Sequence, residues 1–169
     1  MDTTLIHVIE GQFHRGYYKY IETLWECILC TTVKDLKMIY LSGHSMGGAL
    51  VAILSYFISK TYPEIQCKVY TFGCPKYTTE TLSRYFSKQS QVEIVNYLNE
   101  ADPVIYKPLN DTLCRVGKNR VFKIDSGNDN VNHSLKIYKS IITRNPKPVK
   151  KRTHKLHELI ARTILDLCG

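Results

Sequence analysis

No apolar run in this chain reaches the roughly 20 residues that cross a bilayer; the longest, near Ala49–Ile58, is interrupted by Ser55. The opening MDTTLIHVIEGQ lacks the basic start, long apolar stretch and small-residue cleavage site of a secretory signal. The expectation is a chain with neither leader nor membrane span as written, placed in the cytoplasm by default. Metal-binding patterns are scarce too. Cys27 and Cys30 form one CxxC within ETLWECILC, with no second CxxC or histidine pair to close a zinc site. Six cysteines without secretory context read as packed or incidental thiols rather than a disulfide framework. No internal repeat and no low-complexity segment interrupts the chain, and no nucleic-acid recognition module accompanies its charge.

The 169 residues are 44% apolar and 22% charged, which suits one ordinary folded domain. The net charge of +8 comes from 23 Lys plus Arg against 15 Asp plus Glu. Part of the surplus sits in RNPKPVKKRTHK, residues 144–155. This stretch reads first as a solvated linker. Its sharper reading is peripheral contact with an anionic membrane, each Lys or Arg near the surface contributing about 1 kcal/mol. The expected division is a domain over residues 1–145, then a basic linker and C-terminal amphipathic helix over 146–169.

Tyr17, Ile21, Leu24, Trp25, Ile28 and Leu29 recur at three- and four-residue steps, which predicts an amphipathic helix over about residues 15–32. KMIYLS reads as a short buried strand ending at Ser42, and Met46–Tyr62 as a helix stopped by Pro63. CKVYTFG and VEIVNYLN are further strands, with a polar helix over 77–88 between them. CRVGKNRVFKI, with Gly117–Asn119 at its centre, predicts a β-hairpin; DSGNDNVN reads as a loop and HSLKIYKSII as a helix. Strands alternating with helices indicate parallel pairing, and apolar strands without strict alternation indicate burial on both faces.

The densest signal is IYLSGHSMGGAL, in which Gly43, Ser45, Gly47, Gly48 and Ala49 follow directly on a strand. Strand, GxSxG and helix in that order describe a nucleophile elbow, a tight turn that holds one serine hydroxyl exposed above a sheet. Gly43 and Gly47 are expected where neighbouring backbone lies close, while Gly48 and Ala49 let the new helix pack against the sheet. The Met46 N–H, at the positive end of that helix, is a candidate oxyanion donor. His44 adjoins the nucleophile, where its ring packs or lines the site. A serine needs a base to take its proton and a carboxylate to orient that base. Asp102 follows the strand VNYLN in a loop stiffened by Pro103, and is favoured over Glu100, Asp111, Asp125 and Asp129. His133 opens a helix after a loop. His7 and His14 precede the serine, while His154 and His157 belong to the charged terminal helix.

These residues together resemble the class 3 lipases. FHRGYYKYI is similar to that family's VHxGF stretch, and IYLSGHSMGGALVAIL to its elbow almost residue for residue. VYTFGCPKY, NEADPVIYKP and HSLKIY resemble the segments around its later strand, its acid and its base. The resemblance implies an α/β-hydrolase fold with a mostly parallel central sheet flanked by helices. It implies Ser45 as nucleophile, Asp102 as acid and His133 as base, acting on a lipid ester through an acyl-enzyme with no cofactor. It also implies a strand and a Ser- or Thr-bearing oxyanion loop ahead of Phe13, where Thr3 and Thr4 are the nearest hydroxyls. A sheet without that strand would leave an exposed edge. The expected activity is that of a lipase or carboxylesterase. The alternative is a lipase-like protein of weak or no turnover that binds lipid, membrane or a partner.

Overall fold

The computed structural model describes residues 4–29 and 36–144. The readings made for Thr3, Cys30, Cys168, His154, His157, the basic segment beyond Arg144 and the region 146–169 lie outside them. Two four-stranded sheets organise the described chain. One is antiparallel, built from β1 (Leu5–Val8), β2 (Gly11–His14), β5 (Thr78–Thr79) and β7 (Leu113–Cys114) in the order β1-β2-β5-β7. The other is parallel throughout, with β3 (Met38–His44), β4 (Gln66–Phe72), β6 (Val92–Asn99) and β8 (Lys118–Phe122) in the order β3-β4-β6-β8.

The alternation along β3 and β4 separates two faces. Ile39, Leu41, Cys67, Val69 and Thr71 are buried beneath α2 (Met46–Thr61), and Ile94 and Asn96 of β6 extend the same face. α2 is buried around most of its circumference, as a helix must be when sheet lies on one side and another helix on the other. That second helix is α1 (Arg15–Leu29), which turns Tyr17 and Ile21 inward and leaves Cys27 exposed. Full burial of each aliphatic side chain in this layer contributes about 1.5–3 kcal/mol. On the opposite face, Phe72, Tyr97 and Phe122 form a row of rings over which α5 (Leu135–Arg144) lays Tyr138. β3 and β8 are the two edge strands of the described parallel sheet, and Met38 and Tyr40 on β3 are exposed.

The polar helix expected over 77–88 forms as α3 (Glu80–Ser87), and the structure departs from the sequence reading in four places. CRVGKNRVFKI is not a hairpin: β7 joins the antiparallel sheet while β8 runs parallel to β6 in the other sheet. Gly117 (φ 93°) supplies the bend between them, its α-carbon so close to the Ile94 carbonyl that a Cβ would lie 2.3 Å from that oxygen. The opening segment contains a hairpin that its short strands did not announce, β1 pairing with β2 from Leu5↔His14 to Val8↔Gly11. β3 runs two residues past Ser42, to His44. Asp129–Asn132, within the expected loop, closes a helical turn, α4, which the Asn128 side chain caps by accepting from the N–H groups of Asn130 and Val131.

Candidate functional site

Ser45 is the single residue between β3 and α2. Its backbone is strained, at φ 56° and ψ −130°, among non-glycine residues the one described with positive φ. Two backbone bonds hold it there: Ser45 N–H donates to the Phe72 carbonyl (2.9 Å), and the Ser45 carbonyl accepts from Gly48 N–H (3.0 Å). Serine at a helix N-cap ordinarily bonds its hydroxyl to the first turn, with a gain of about 1 kcal/mol. Here the side chain makes no cap bond. The hydroxyl instead lies 2.8 Å from His133 Nε2.

The glycines around Ser45 divide in use. At Gly43 a Cβ would lie 2.2 Å from the Gly47 carbonyl oxygen, an overlap with backbone that nothing can relieve. At Gly48 it would meet the Cys74 and Thr71 side chains at 2.9 and 3.1 Å, so this glycine brings α2 onto β4, and Ala49 is fully buried behind it. Gly47 differs from expectation: a Cβ there meets nothing within 4 Å. The close approach belongs to Gly43, with the Gly47 carbonyl as its neighbour, because in the first turn of α2 the α-carbon of residue 47 faces open space.

Asp102 lies three residues beyond β6, its N–H donating to the Asn99 carbonyl (2.9 Å), and its carboxylate is wholly buried. Three donors satisfy it. Val104 N–H reaches Oδ1 (2.9 Å), while His133 Nδ1 (2.8 Å) and the Tyr138 hydroxyl (2.5 Å) share Oδ2. Gly73 (φ 59°) leaves room for this cluster, since a Cβ there would sit 2.8 Å from Asp102 Oδ2 and 3.0 Å from the Tyr138 oxygen. An ionised carboxylate only accepts, so His133 Nδ1 carries the proton and its Nε2 is left to accept from the Ser45 hydroxyl. Burial, followed by the bond to Asp102, pushes the Tyr138 phenol up, which keeps it a donor. The competing carboxylates Glu100, Asp111, Asp125 and Asp129 are all exposed.

His133 ends α4, and the loop that carries it is fastened by amides. Asn99 Nδ2 donates to the carbonyls of Ile124 (2.9 Å) and Asn132 (3.2 Å), and its Oδ1 accepts from Ile124 N–H (2.9 Å). Asn132 accepts from the Ser126 N–H and hydroxyl, both at 2.8 Å, and donates to Asp125 (3.1 Å). His44 adds a tie from the end of β3, its Nε2 lying 2.7 Å from the His133 carbonyl. Sequence reasoning missed the roles of Tyr138, Asn99 and Asn132. Tyr138 reads as one more apolar residue of an amphipathic helix, and nothing in the pattern marks its hydroxyl.

Other sequence candidates lie apart from this cluster. His7 bonds Gln12 on the β1–β2 hairpin, and His14 stacks on Tyr17 at 4.3 Å. The Thr4 carbonyl accepts from Arg15 N–H at the start of α1 (2.8 Å). Met46 is the first residue of α2, one of the positions whose N–H has no acceptor within the helix, and its side chain is exposed. An open cavity of about 760 Å³ lies between that hairpin and Thr79–Thr81; none of Ser45, Asp102 and His133 lines it. Burial pushes the Cys74 thiol up to about 12, so it stays protonated beside Gly48. Among the described residues no three His, Cys, Asp or Glu are grouped to hold a metal ion, and no helix is long and apolar enough to cross a membrane.

Known proteins share this arrangement of elements. The lipase of Rhizopus microsporus var. chinensis superposes with a TM-score of 0.63 at 19% identity, over 74% of this chain and 47% of that one. The triacylglyceride lipase of Rhizomucor miehei gives 0.66 at 17% identity, over 75% and 52%, and lipase II from Rhizopus niveus gives 0.66 at 16%, over 76% and 52%. At such identities the likeness establishes the fold, that of the α/β-hydrolase lipases. Toxin TseL of Vibrio cholerae serotype O1 is 36% identical over 78 residues, 43% of this chain and 12% of the toxin. The chain thus spans about half the length of these lipases and about an eighth of the toxin. The sequence model of the class 3 lipases matches residues 2–112, a range that holds Ser45 and Asp102 and stops short of His133. By that match, over well more than half of its residues, the chain belongs to the class 3 lipase family.

Proposed function

We propose that this domain hydrolyses lipid esters through an acyl-enzyme formed on Ser45, with His133 as general base and acid and Asp102 as its orienting carboxylate. One observation carries the reading: the unbroken chain from Ser45 Oγ to His133 Nε2 and from His133 Nδ1 to Asp102 Oδ2, each link 2.8 Å. As Oγ bonds to the acyl carbon, its proton passes to Nε2 and the carbonyl π pair moves onto oxygen. The Met46 N–H, at the positive end of α2, receives that oxyanion; one such donor contributes about 3–4 kcal/mol to lowering the barrier. Collapse expels the alcohol with the proton held by His133, and water repeats the sequence to release the acid. Tyr138 and Val104 keep the carboxylate aligned without taking part in proton transfer.

The test uses p-nitrophenyl esters of short and long acyl chains, with a fluorophosphonate probe for covalent labelling. Turnover by the parent chain, labelling at Ser45, and a kcat about 10⁴–10⁶ lower in Ser45→Ala are expected. Equal hydrolysis by parent and variant would remove Ser45 from the mechanism.

A further inference from the structure

We propose that His44 is a positioning residue for His133 and that catalysis also needs its ring neutral, so that a proton on His44 lowers activity beyond the protonation of His133 alone. The inference rests on the ester-hydrolase reading and gives that site a pH response. His44 is the last residue of β3 and immediately precedes Ser45. Its Nε2 lies 2.7 Å from the backbone carbonyl oxygen of His133. A carbonyl can only accept, so His44 carries its proton on Nε2 and leaves Nδ1 bare. The end of one strand therefore presents the nucleophile to the His133 ring and grips the His133 backbone at the same time. That grip matters because His133 stands between a helical turn of four residues, α4, and the start of α5. A displacement of about 1 Å between nucleophile and base is enough to cost about 100-fold in rate.

Neutrality follows from what surrounds the ring. His44 lies against the His133 ring, with centroids 4.6 Å apart and planes 31° from parallel, and meets the edge of Tyr138 at 5.9 Å. The titratable groups facing it are His133 from the loop before α5, Asp102 from the loop after β6, and Tyr138 from α5. Burial is the largest influence and holds the His44 ring below its usual range. Its bond to the His133 carbonyl and the charge of Asp102 oppose that shift without reversing it, and His133 adds to it. During turnover His133 becomes an imidazolium. A proton already on His44 would set two cations face to face at the moment when charge must develop.

Three forms of the protein separate the parts of this proposal. His44→Phe keeps a ring and removes the donor; His44→Gln keeps an N–H donor and removes the titration. At about pH 8, His44→Phe is expected to lower kcat about 10–100-fold with little change in KM. His44→Gln should recover about tenfold of that loss. On the acid side, log kcat/KM of the parent should fall with a limiting slope of about two, and that of His44→Gln with about one. Parental activity in His44→Phe, or equal slopes in the parent and His44→Gln, overturns the proposal. Imidazole ¹⁵N spectra give a readout independent of turnover. The parent should show His44 as the Nε2–H tautomer, and His44→Phe should exchange the His133 Nδ1 proton with solvent faster. An inactive parent with those spectra defeats the ester-hydrolase reading and upholds the positioning of His133. An Nδ1–H tautomer at His44 defeats the positioning even in an active enzyme.

Discussion

The two ends of the parallel sheet are built on opposite terms. Ile39, Leu41, Val69 and Ile94 beneath α2, and Ile53 of α2 itself, are at most 4% exposed, and their side chains ask only for space and shape. A few residues further along the same strands the chain holds a serine at φ 56°, a wholly buried carboxylate and two facing imidazoles. The aliphatic side chains of the first region need nothing beyond apolar volume. The second is stable only while each polar atom keeps a named partner, and it depends on the first to offset its strain. Perturbing each end should therefore fail differently, one in stability and the other in rate.

Among substitutions that leave the Ser45 hydroxyl in place, the largest effect expected belongs to Asp102→Asn. Its carboxylate accepts from three donors, and an amide in the same volume must turn its own N–H₂ toward at least one of them. If it faces His133, the imidazole loses the tautomer that leaves Nε2 free for Ser45. Steady-state hydrolysis should show kcat about 10³–10⁴ lower, with KM little changed. Ile53→Ala addresses the other end. Ile53 has no exposed surface at the centre of α2, and its truncation should cost about 2–5 kcal/mol of unfolding free energy by denaturant titration. Its kcat should stay near parental below the new melting temperature. A fall in kcat matching that of Asp102→Asn would erase the distinction between the regions.

How much of each region was legible in sequence follows from the range of the interactions that build it. The elbow is local: β3, one residue and α2 are contiguous, so IYLSGHSMGGAL carries its own diagnosis. Asp102 and His133 are legible because each follows an element whose pattern is clear, even though 31 residues separate them. Tyr138 is not, because an inward tyrosine on α5 and a neighbouring isoleucine give the same periodicity; its hydroxyl gains meaning only when Asp102 arrives from β6. The misread hairpin has a related cause. Gly117 correctly signals a bend, but pairing is decided by β6, whose register places Val95 opposite Lys118. Local chemistry announces that a chain turns and leaves open which sheet it turns into. Gly47 shows a further limit, since a glycine required by backbone contact and one that is merely permitted look alike in a string of letters.

Smaller effects isolate the strain itself. Ser45→Gly and Ser45→Ala both remove the hydroxyl, so their difference reports the backbone. Positive φ strains alanine as it does serine and suits glycine, a relief of roughly 1–3 kcal/mol. Glycine gives back about 0.5–1 kcal/mol through the greater freedom of the unfolded chain. The glycine variant should unfold about 1 kcal/mol later than the alanine variant. Equal stabilities would mean that the turn relaxes once the hydroxyl is gone, and that the bond to His133 holds the strain in place.

The smallest effect belongs to Gly47→Ala, which makes the sharpest division within the elbow when set beside Gly43→Ala. Gly43→Ala drives a methyl into the Gly47 carbonyl at 2.2 Å and should cost more than about 3 kcal/mol, by analogy with overpacked cores. Gly47→Ala adds the same methyl to open space in the first turn of α2, where alanine favours helix over glycine by up to about 1 kcal/mol. A gain of up to that size in thermal or denaturant unfolding is expected, with labelling of Ser45 by the small fluorophosphonate intact. Residue 47 follows Ser45 by two positions, so the same variant also probes what fills the space over it. If stability rises while KM increases for long-chain esters and not for short ones, the acyl chain lies across Gly47. If KM is unmoved for both, this glycine serves only to let the turn form. A loss of stability would show that the methyl does meet structure, and would return Gly47 to the role its neighbour Gly43 fills.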